Sequence, residues 1–314
     1  MDRSRFPFPA HPNGWFRVAY ADELEAGDVE PVSYFGRDLV LFRDAEGCAR
    51  VLDAHCPHLG AHLGYGGVVD GPGIRCPFHG WQWHGDGSCL DVPYGKTPRN
   101  ARIHSWPVVE KNGLLLIWHH DRGEEPSFQV PDLAEIGAAD WTPLEIRRWR
   151  VRSRWLDMNE NAVDQLHFRF VHGTKTAPET EAELDGPILR CRSRMELATP
   201  RGVVDGGIDT TDYGPGFQTV RLSGIVDTLM VNTAVPVDDE TTDVSFAYTV
   251  CTRDGAERSR GVGRAIIADL EKQMAEDIPI WESKSYHRRP LFSDGDGPFP
   301  VYRKWMRQFF SEEW

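Results

Sequence analysis

From Pro31 to Ala54 the chain reads "PVSYFGRDLVLFRDAEGCARVLDA", short β-rich runs broken by turn signals at Gly36-Arg37 and Glu46-Gly47. Gly and Pro punctuate the chain from there to Asn100, and "GLLLIWHH" (Gly113 to His120) reads as a closing strand. The pattern predicts a small all-β unit built of hairpins. After it comes "DRGEEPSFQVPDL", rich in charge and proline, which places a boundary near residue 125 and divides the chain into regions 1–125 and 126–314.

The second region opens with "EIRRWRVRSRW", where Arg148, Arg150, Arg152 and Arg154 alternate with Trp149, Val151, Ser153 and Trp155 at the period of a half-buried strand. The arginine face suits either an acidic redox partner or a solvated or inter-subunit surface laced with ion pairs. From about Asn159 to His172 the pattern turns helical. Residues 187 to 252 read as antiparallel strands separated by "DGGIDTTDYGPG" and "VDDETTD". Arg260 to His287 reads as a long helix with a kink site at Pro279. Its apolar stripe is Ile267, Leu270, Met274, Ile278 and Trp281. The fold class expected from this order is α+β.

Length, charge and cysteine usage narrow the chemistry. The 314 residues suffice for two domains, and a net charge of -13 argues against a phosphate-backbone partner. The N-terminus lacks the apolar core of a signal peptide, and no run approaches the roughly 18 apolar residues of a membrane span. A soluble, cytoplasmic protein is expected. Six cysteines are too few for a disulfide scaffold, so in a reducing compartment a Cys/His cluster points to metal.

Such a cluster exists. Cys56 and His58 in "CPHLGAH", with Cys76 and His79 in "CPFHGWQW", make the pattern C-x-H-x17-C-x2-H on two turn-rich loops. Two thiolates and two imidazoles hold either tetrahedral zinc or a [2Fe-2S] cluster with both sulfurs on one iron and both imidazoles on the other. The glycine-rich "GYGGVVDGPG" between the loops completes a stretch that resembles the Rieske [2Fe-2S] motif. Respiratory Rieske proteins carry a further cysteine in each loop, where this chain has Ala61 and Phe78, so the resemblance is to the oxygenase and ferredoxin branch. Cys48, Cys89, Cys191 and Cys251 remain as ordinary buried or semi-buried thiols.

A second constellation lies in "NENAVDQLHFRFVH". On a regular helix Asp164 and His167 stand about 60° apart and share a face, whereas His172 is about 140° from His167. Both histidines therefore reach one metal only if the helix ends or distorts between them, and "HGT" at His172 supplies a stop. A facial triad needs one carboxylate more. Of the acids on the C-terminal helix, Asp269, Glu271, Glu276, Asp277 and Glu282, only Asp277 falls inside the apolar stripe, where a carboxylate must be neutralised, paired or bound to metal. Asp277 is thus the expected third ligand, ahead of Glu276.

D-x2-H-x4-H after a Rieske-like unit, followed by a late aspartate, resembles the catalytic domain of Rieske non-heme iron oxygenases. "AEDIPIWESKS" and "DGDGPFPVYRKWMRQFF" are similar to the ends of 3-ketosteroid 9α-hydroxylase oxygenase components and related sterol desaturases. The resemblance implies a Rieske domain followed by a helix-grip (START-like) domain with an antiparallel sheet and a long C-terminal helix, holding a [2Fe-2S] cluster and a mononuclear Fe(II). It also implies a homotrimer in which a carboxylate, here Asp164, bridges His167 to a cluster histidine, His58 or His79, of the neighbouring subunit. Asp164 is expected to accept a hydrogen bond from the second ring nitrogen of His167.

No G-x-G-x-x-G follows a strand, and "GVGRAI" at Gly261 lacks the third glycine, so NAD(P)H and flavin are expected on a separate reductase, with or without a ferredoxin. The expected reaction is hydroxylation of an apolar cyclic, steroid-like substrate. Desaturation, demethylation and dihydroxylation by the same site are alternatives. An electron-carrying or apolar-ligand-binding Rieske protein without catalytic iron is the alternative of another class. Val220, Leu222, Ile225 and Met230 are candidate pocket residues, and of Phe168 and Phe170 one is expected to face the cavity and one the core.

Overall fold

The computed structural model describes residues 5–174, 179–199, 202–253 and 255–314. Its first half is all β. Strands Gly14–Tyr20, Leu114–His119 and Val108–Lys111 form one sheet in that order; Val29–Tyr34, Arg37–Arg43, Ala49–Asp53 and Ser105–Trp106 form a second. A third is a meander of four three-residue strands, Val68–Asp70, Gly73–Arg75, Gln82–His84 and Cys89–Asp91. Every paired strand in these sheets is antiparallel, as hairpin connections allow.

The predicted closing strand explains itself by its burial. All six residues of Leu114–His119 are buried, because Leu115 and Ile117 enter a core with Leu39, Leu41 and Val51, while Leu114, Leu116 and Trp118 enter another with Phe217, Leu229 and Val231 of the second half. A strand covered on both faces needs no polar alternation. The two halves therefore share a hydrophobic seam.

The second half is a seven-stranded antiparallel sheet in the order Glu145–Val151, Thr242–Val250, Thr228–Pro236, Phe217–Ser223, Gly202–Tyr213, Ile188–Thr199, Glu179–Asp185. Period two sorts its faces: Leu229 and Val231 point to the seam, whereas Met230 and Ala234 point to the other side. On that other side lies helix Ala256–Ser283, which contributes Ile267, Met274 and Trp281 to the same core, with Leu270 and Ile278 packed against it. The expected apolar stripe is thus the packing face. The helix begins earlier than the pattern suggested and Pro279 sits in its final turn, four residues before Ser283, whose hydroxyl donates to the Pro279 carbonyl at 2.7 Å.

The separator and the arginine row differ from expectation. "DGGIDTTDY" is not a separator but most of strand Gly202–Tyr213, paired on both sides, and the turn is confined to Gly214, Pro215 and Gly216. Local turn composition yields to pairing with two neighbours. The sheet also takes in strand Glu179–Asp185, which precedes the predicted strands. The arginine strand ends at Val151, and Arg154 beyond it is buried rather than part of a basic face. Its members pair within the chain: Arg147 with Glu271, Arg148 with Glu23, and Arg150 with Asp243 at 2.7 Å. Among the described residues, no helix is long and apolar enough to cross a membrane.

Candidate functional site

The two cysteine-bearing loops are built alike. Cys56 N–H donates to the Ala61 carbonyl and Gly60 N–H to the Cys56 carbonyl; Cys76 N–H donates to Trp81 and Gly80 N–H to Cys76. Gly60 and Gly80 occupy the left-handed region, at φ 76° and 72°, where a side chain would be strained. Each loop thus closes into a rigid turn that carries a cysteine inward and a histidine near its tip. The sulfurs of Cys56 and Cys76 sit in a core with Leu63, Ile74 and Trp83, and burial pushes the Cys56 thiol up, with the adjacent Cys76 adding to the rise.

The rings of His58 and His79 are 4.7 Å apart, and Trp81 stacks on His58 at the same separation. His79 Nδ1 is buried and has no hydrogen-bond partner among the described residues. Two buried thiols and an imidazole nitrogen without a partner among the described residues are poorly satisfied as they stand; a cationic cluster would satisfy all of them. Leu59, Phe78 and Tyr94 form an exposed apolar collar from these and the following loop.

The second constellation is assembled from distant elements. Instead of one long helix, Asn159–Ala162 forms a 3-10 turn and His167–Phe170 a single helical turn. This short helix stops as the sequence suggested: Val171 N–H bonds the His167 carbonyl at 2.8 Å, and Gly173 follows at φ 70°. The stop brings the His167 and His172 rings within 5.2 Å. Helix Ala256–Ser283 delivers Asp277, and ligand atoms of His167, His172 and Asp277 all lie within 4.8 Å of one another.

Hydrogen bonds orient the imidazoles. His172 Nδ1 donates to Glu276 Oε2 at 3.0 Å, which leaves Nε2 facing Asp277 Oδ2 at 3.4 Å. His167 Nδ1 donates to the backbone carbonyl of Asp164, not to its carboxylate as expected. The carboxylate faces the other way because Oδ1 caps the turn, accepting from Leu166 N–H at 3.0 Å and His167 N–H at 3.2 Å. Burial holds His167 below the ordinary histidine range, so it presents a lone pair at neutral pH. Burial also pushes Asp277 up to about 6, against the pull of His172. Two imidazoles and a buried carboxyl around one point form a cation site by their chemistry. Glu276, ranked behind Asp277 as a ligand, is instead the residue that holds His172. Its place one residue before Asp277, about 100° round the helix, was the available signal.

A cavity of about 540 Å³ opens on these three residues. Phe168, Val220, Leu222, Ile225 and Met230 line it, together with Phe246, Met274 and Trp281. Phe170 faces neither cavity nor core and is 76% exposed. Elsewhere Cys191 and Cys251 are buried, whereas Cys48 is exposed.

Comparison with known proteins agrees with this architecture. The sequence profile of the Rieske [2Fe-2S] domain matches residues 14–107, and that of the 3-ketosteroid 9alpha-hydroxylase C-terminal domain matches residues 117–310. The chain is 31% identical to the oxygenase component of a 3-ketosteroid-9-alpha-monooxygenase from Rhodococcus rhodochrous, over 95% of this chain and 83% of that protein. It is 28% identical to a cholesterol 7-desaturase of Ciona intestinalis, over 97% of this chain and 70% of the other. In fold it matches dicamba monooxygenase bound to dicamba, with a TM-score of 0.76 and 19% identity over 95% of this chain and 97% of that one. The chain belongs to the 3-ketosteroid 9alpha-hydroxylase family and is a Rieske oxygenase with an N-terminal [2Fe-2S] domain.

Proposed function

We propose that this protein is the terminal oxygenase component of a multicomponent system that hydroxylates an apolar polycyclic substrate of the steroid class. The observation that carries this is the large cavity with an apolar lining that ends on His167, His172 and Asp277. A volume of about 540 Å³ suits a fused-ring molecule. The relatives named for ketosteroid and cholesterol chemistry point to the same class.

In this reading His167, His172 and Asp277 hold a mononuclear iron(II), which supplies oxygen binding and activation at positions the three ligands leave open. Cys56, His58, Cys76 and His79 hold the Rieske cluster, whose imidazoles raise its potential above that of an all-cysteine cluster so that it accepts electrons readily. Glu276 and the Asp164 carbonyl keep both iron-ligating rings in one tautomer, each with Nδ1 protonated. The apolar walls exclude water and orient the substrate by shape. Electrons come from a separate NAD(P)H-dependent flavin reductase, with or without a ferredoxin.

The assembly in this reading is a homotrimer in which His58 or His79 of one subunit approaches the iron site of the next. Asp164 is the bridge, supported by the position of its carboxylate: Oδ1 is engaged by the turn, and Oδ2 has no hydrogen-bond partner among the described residues. The apolar collar of Leu59, Phe78 and Tyr94 around the cluster histidines suits burial against a neighbour.

The test is a mass-spectrometric product screen with a reconstituted reductase and a panel of steroids and other polycyclic compounds. A product heavier by one oxygen supports hydroxylation, and one lighter by two hydrogens would replace it with desaturation. Metal analysis accompanies the screen: about three irons per chain are expected, and about two would reduce the protein to an electron carrier.

A further inference from the structure

The loop that carries Cys56 and His58 has a narrow neck. Its two stems meet at a single antiparallel bridge, with His55 opposite His62. Cys56 N–H gives to the Ala61 carbonyl at 2.9 Å and Leu63 N–H to the Ala54 carbonyl at 2.8 Å. These two bonds flank the bridge, so His55 and His62 form a non-hydrogen-bonded pair, the kind whose side chains stand closest on one face. Their rings are 5.1 Å apart. Asp38, the second residue of strand Arg37–Arg43, comes to the same place, and its carbonyl accepts the N–H of Ala54, one residue before His55, at 3.0 Å.

Ligand atoms of Asp38, His55 and His62 all lie within 4.8 Å of one another. Hydrogen bonds decide what each of them offers. The Gly60 carbonyl, 3.2 Å from His55 Nδ1, can only accept, so Nδ1 carries a proton. His55 Nε2 is turned to Asp38 Oδ2 at 3.2 Å, while Asp38 Oδ1 is held by the Ser33 hydroxyl at 3.1 Å. In the neutral ring this sets a lone pair against a carboxylate oxygen, so a cation belongs between them, either a proton or a metal ion. His62 tells the two apart. Its Nδ1 accepts Gly64 N–H at 3.0 Å and is therefore unprotonated. A proton shared by His55 and Asp38 has no use for a third donor atom, whereas a metal does. Gly64 is only partly buried, and its N–H can turn to water when the metal takes that nitrogen.

We infer that Asp38, His55 and His62 form a further metal site, for zinc(II), which clips the neck of the loop that bears Cys56 and His58. Two imidazoles and one carboxylate suit zinc, whereas magnesium and calcium prefer oxygen ligands throughout. The side chains of His55 and Asp38 are about half exposed, so an ion can enter, the donors can close on it, and water can take the fourth position. An ion at the neck holds the two ends of the loop together. The loop then opens less often and gives up its cluster more slowly.

The experiment is equilibrium dialysis of the protein, loaded with both iron centres, against about 1 μM free zinc, with zinc and iron measured on the same sample. About one zinc per chain is expected with no loss of iron. No zinc, or zinc gained only in exchange for iron, overturns the site. Asp38→Asn and His62→Asn should each weaken zinc binding about tenfold or more while the Rieske absorption stays unchanged. Undiminished binding in both variants means adventitious zinc elsewhere and overturns the inference. If His62→Asn does not hold its cluster, Asp38→Asn decides, because its side chain is half exposed and an asparagine still accepts from Ser33. Excess magnesium should leave the zinc in place; displacement would count against imidazole ligation and overturn the site. The clip has its own readout: zinc should slow thermal bleaching of the cluster about fivefold in the wild type and not in Asp38→Asn. Equal bleaching with zinc bound overturns the clip. None of these measurements uses turnover, so they stand or fall apart from the steroid reading.

Discussion

Both proposed iron sites present a pair of histidines, yet they are built in opposite ways. In the N-terminal region each loop is a closed turn that carries its own cysteine and histidine, locked by two backbone hydrogen bonds and a left-handed glycine. In the second region one histidine is delivered by a four-residue helix, the next by the turn that stops it, and the carboxylate by a helix more than a hundred positions further along the chain. The first arrangement is stiff before any metal arrives. The second depends on packing of the long helix against the sheet, so its geometry is a property of the whole domain.

This difference predicts different failures. Cys56→Ser should abolish the cluster, end turnover and lower the melting temperature, because Cys56 is part of the buried core under the loops. Asp277→Ala should remove about one iron of three and leave the Rieske absorption spectrum unchanged. Iron analysis and visible spectra check both, and bleaching of the cluster by Asp277→Ala would show that the regions are not independent. Asp164→Asn comes next in size. An asparagine keeps the oxygen that caps the turn, so both metals should be retained while turnover falls about 100-fold. Normal turnover with both centres loaded would end the bridging role. Glu276→Gln is expected to weaken iron binding about 10- to 100-fold by removing the charge that holds His172, measured by chelator competition.

Legibility followed the same divide. The Rieske loops could be read because Cys56, His58, Cys76 and His79 lie in one short stretch, with glycines where the turns need them. His167 and His172 were readable as a pair only with a helix stop between them, and Gly173 provides it. Asp277 was readable from the stripe it interrupts. What could not be read depends on tertiary pairing. The Asp164 carbonyl replaces its carboxylate at His167 because the turn claims the carboxylate. Asp212 lies in a segment whose glycines and aspartates look like a loop, and only pairing with the strands on either side makes it a buried group behind the cavity.

The smallest expected effect compares two buried aspartates, one from each half. Asp44, in the first half, accepts Arg50 Nε at 2.9 Å and the N–H groups of Cys48 and Glu46 at 2.8 and 3.0 Å. Burial opposes its charge, but these donors outweigh it and hold the carboxyl below its ordinary value. Asp212 has burial against it and only two neutral amides in its favour, and is pushed up to about 7 from an ordinary value of 3.8. The signs therefore oppose. Asp44 contributes stability above its unfolded value that is lost as acid protonates it, so the deficit of Asp44→Asn should be full at neutral pH and shrink toward low pH. Asp212 stays protonated in the fold after the unfolded chain has released its proton, so between about pH 4 and pH 7 it favours unfolding by up to about 1.4 kcal/mol for each unit of rise. Asp212→Asn, which preserves an acceptor for Asn159 and Gln218, should flatten that decline and gain on the wild type as pH rises. Urea unfolding of the three proteins from pH 4 to pH 8 checks both slopes. Parallel curves for Asp212→Asn and the wild type would mean that the amides suffice to keep Asp212 ionised.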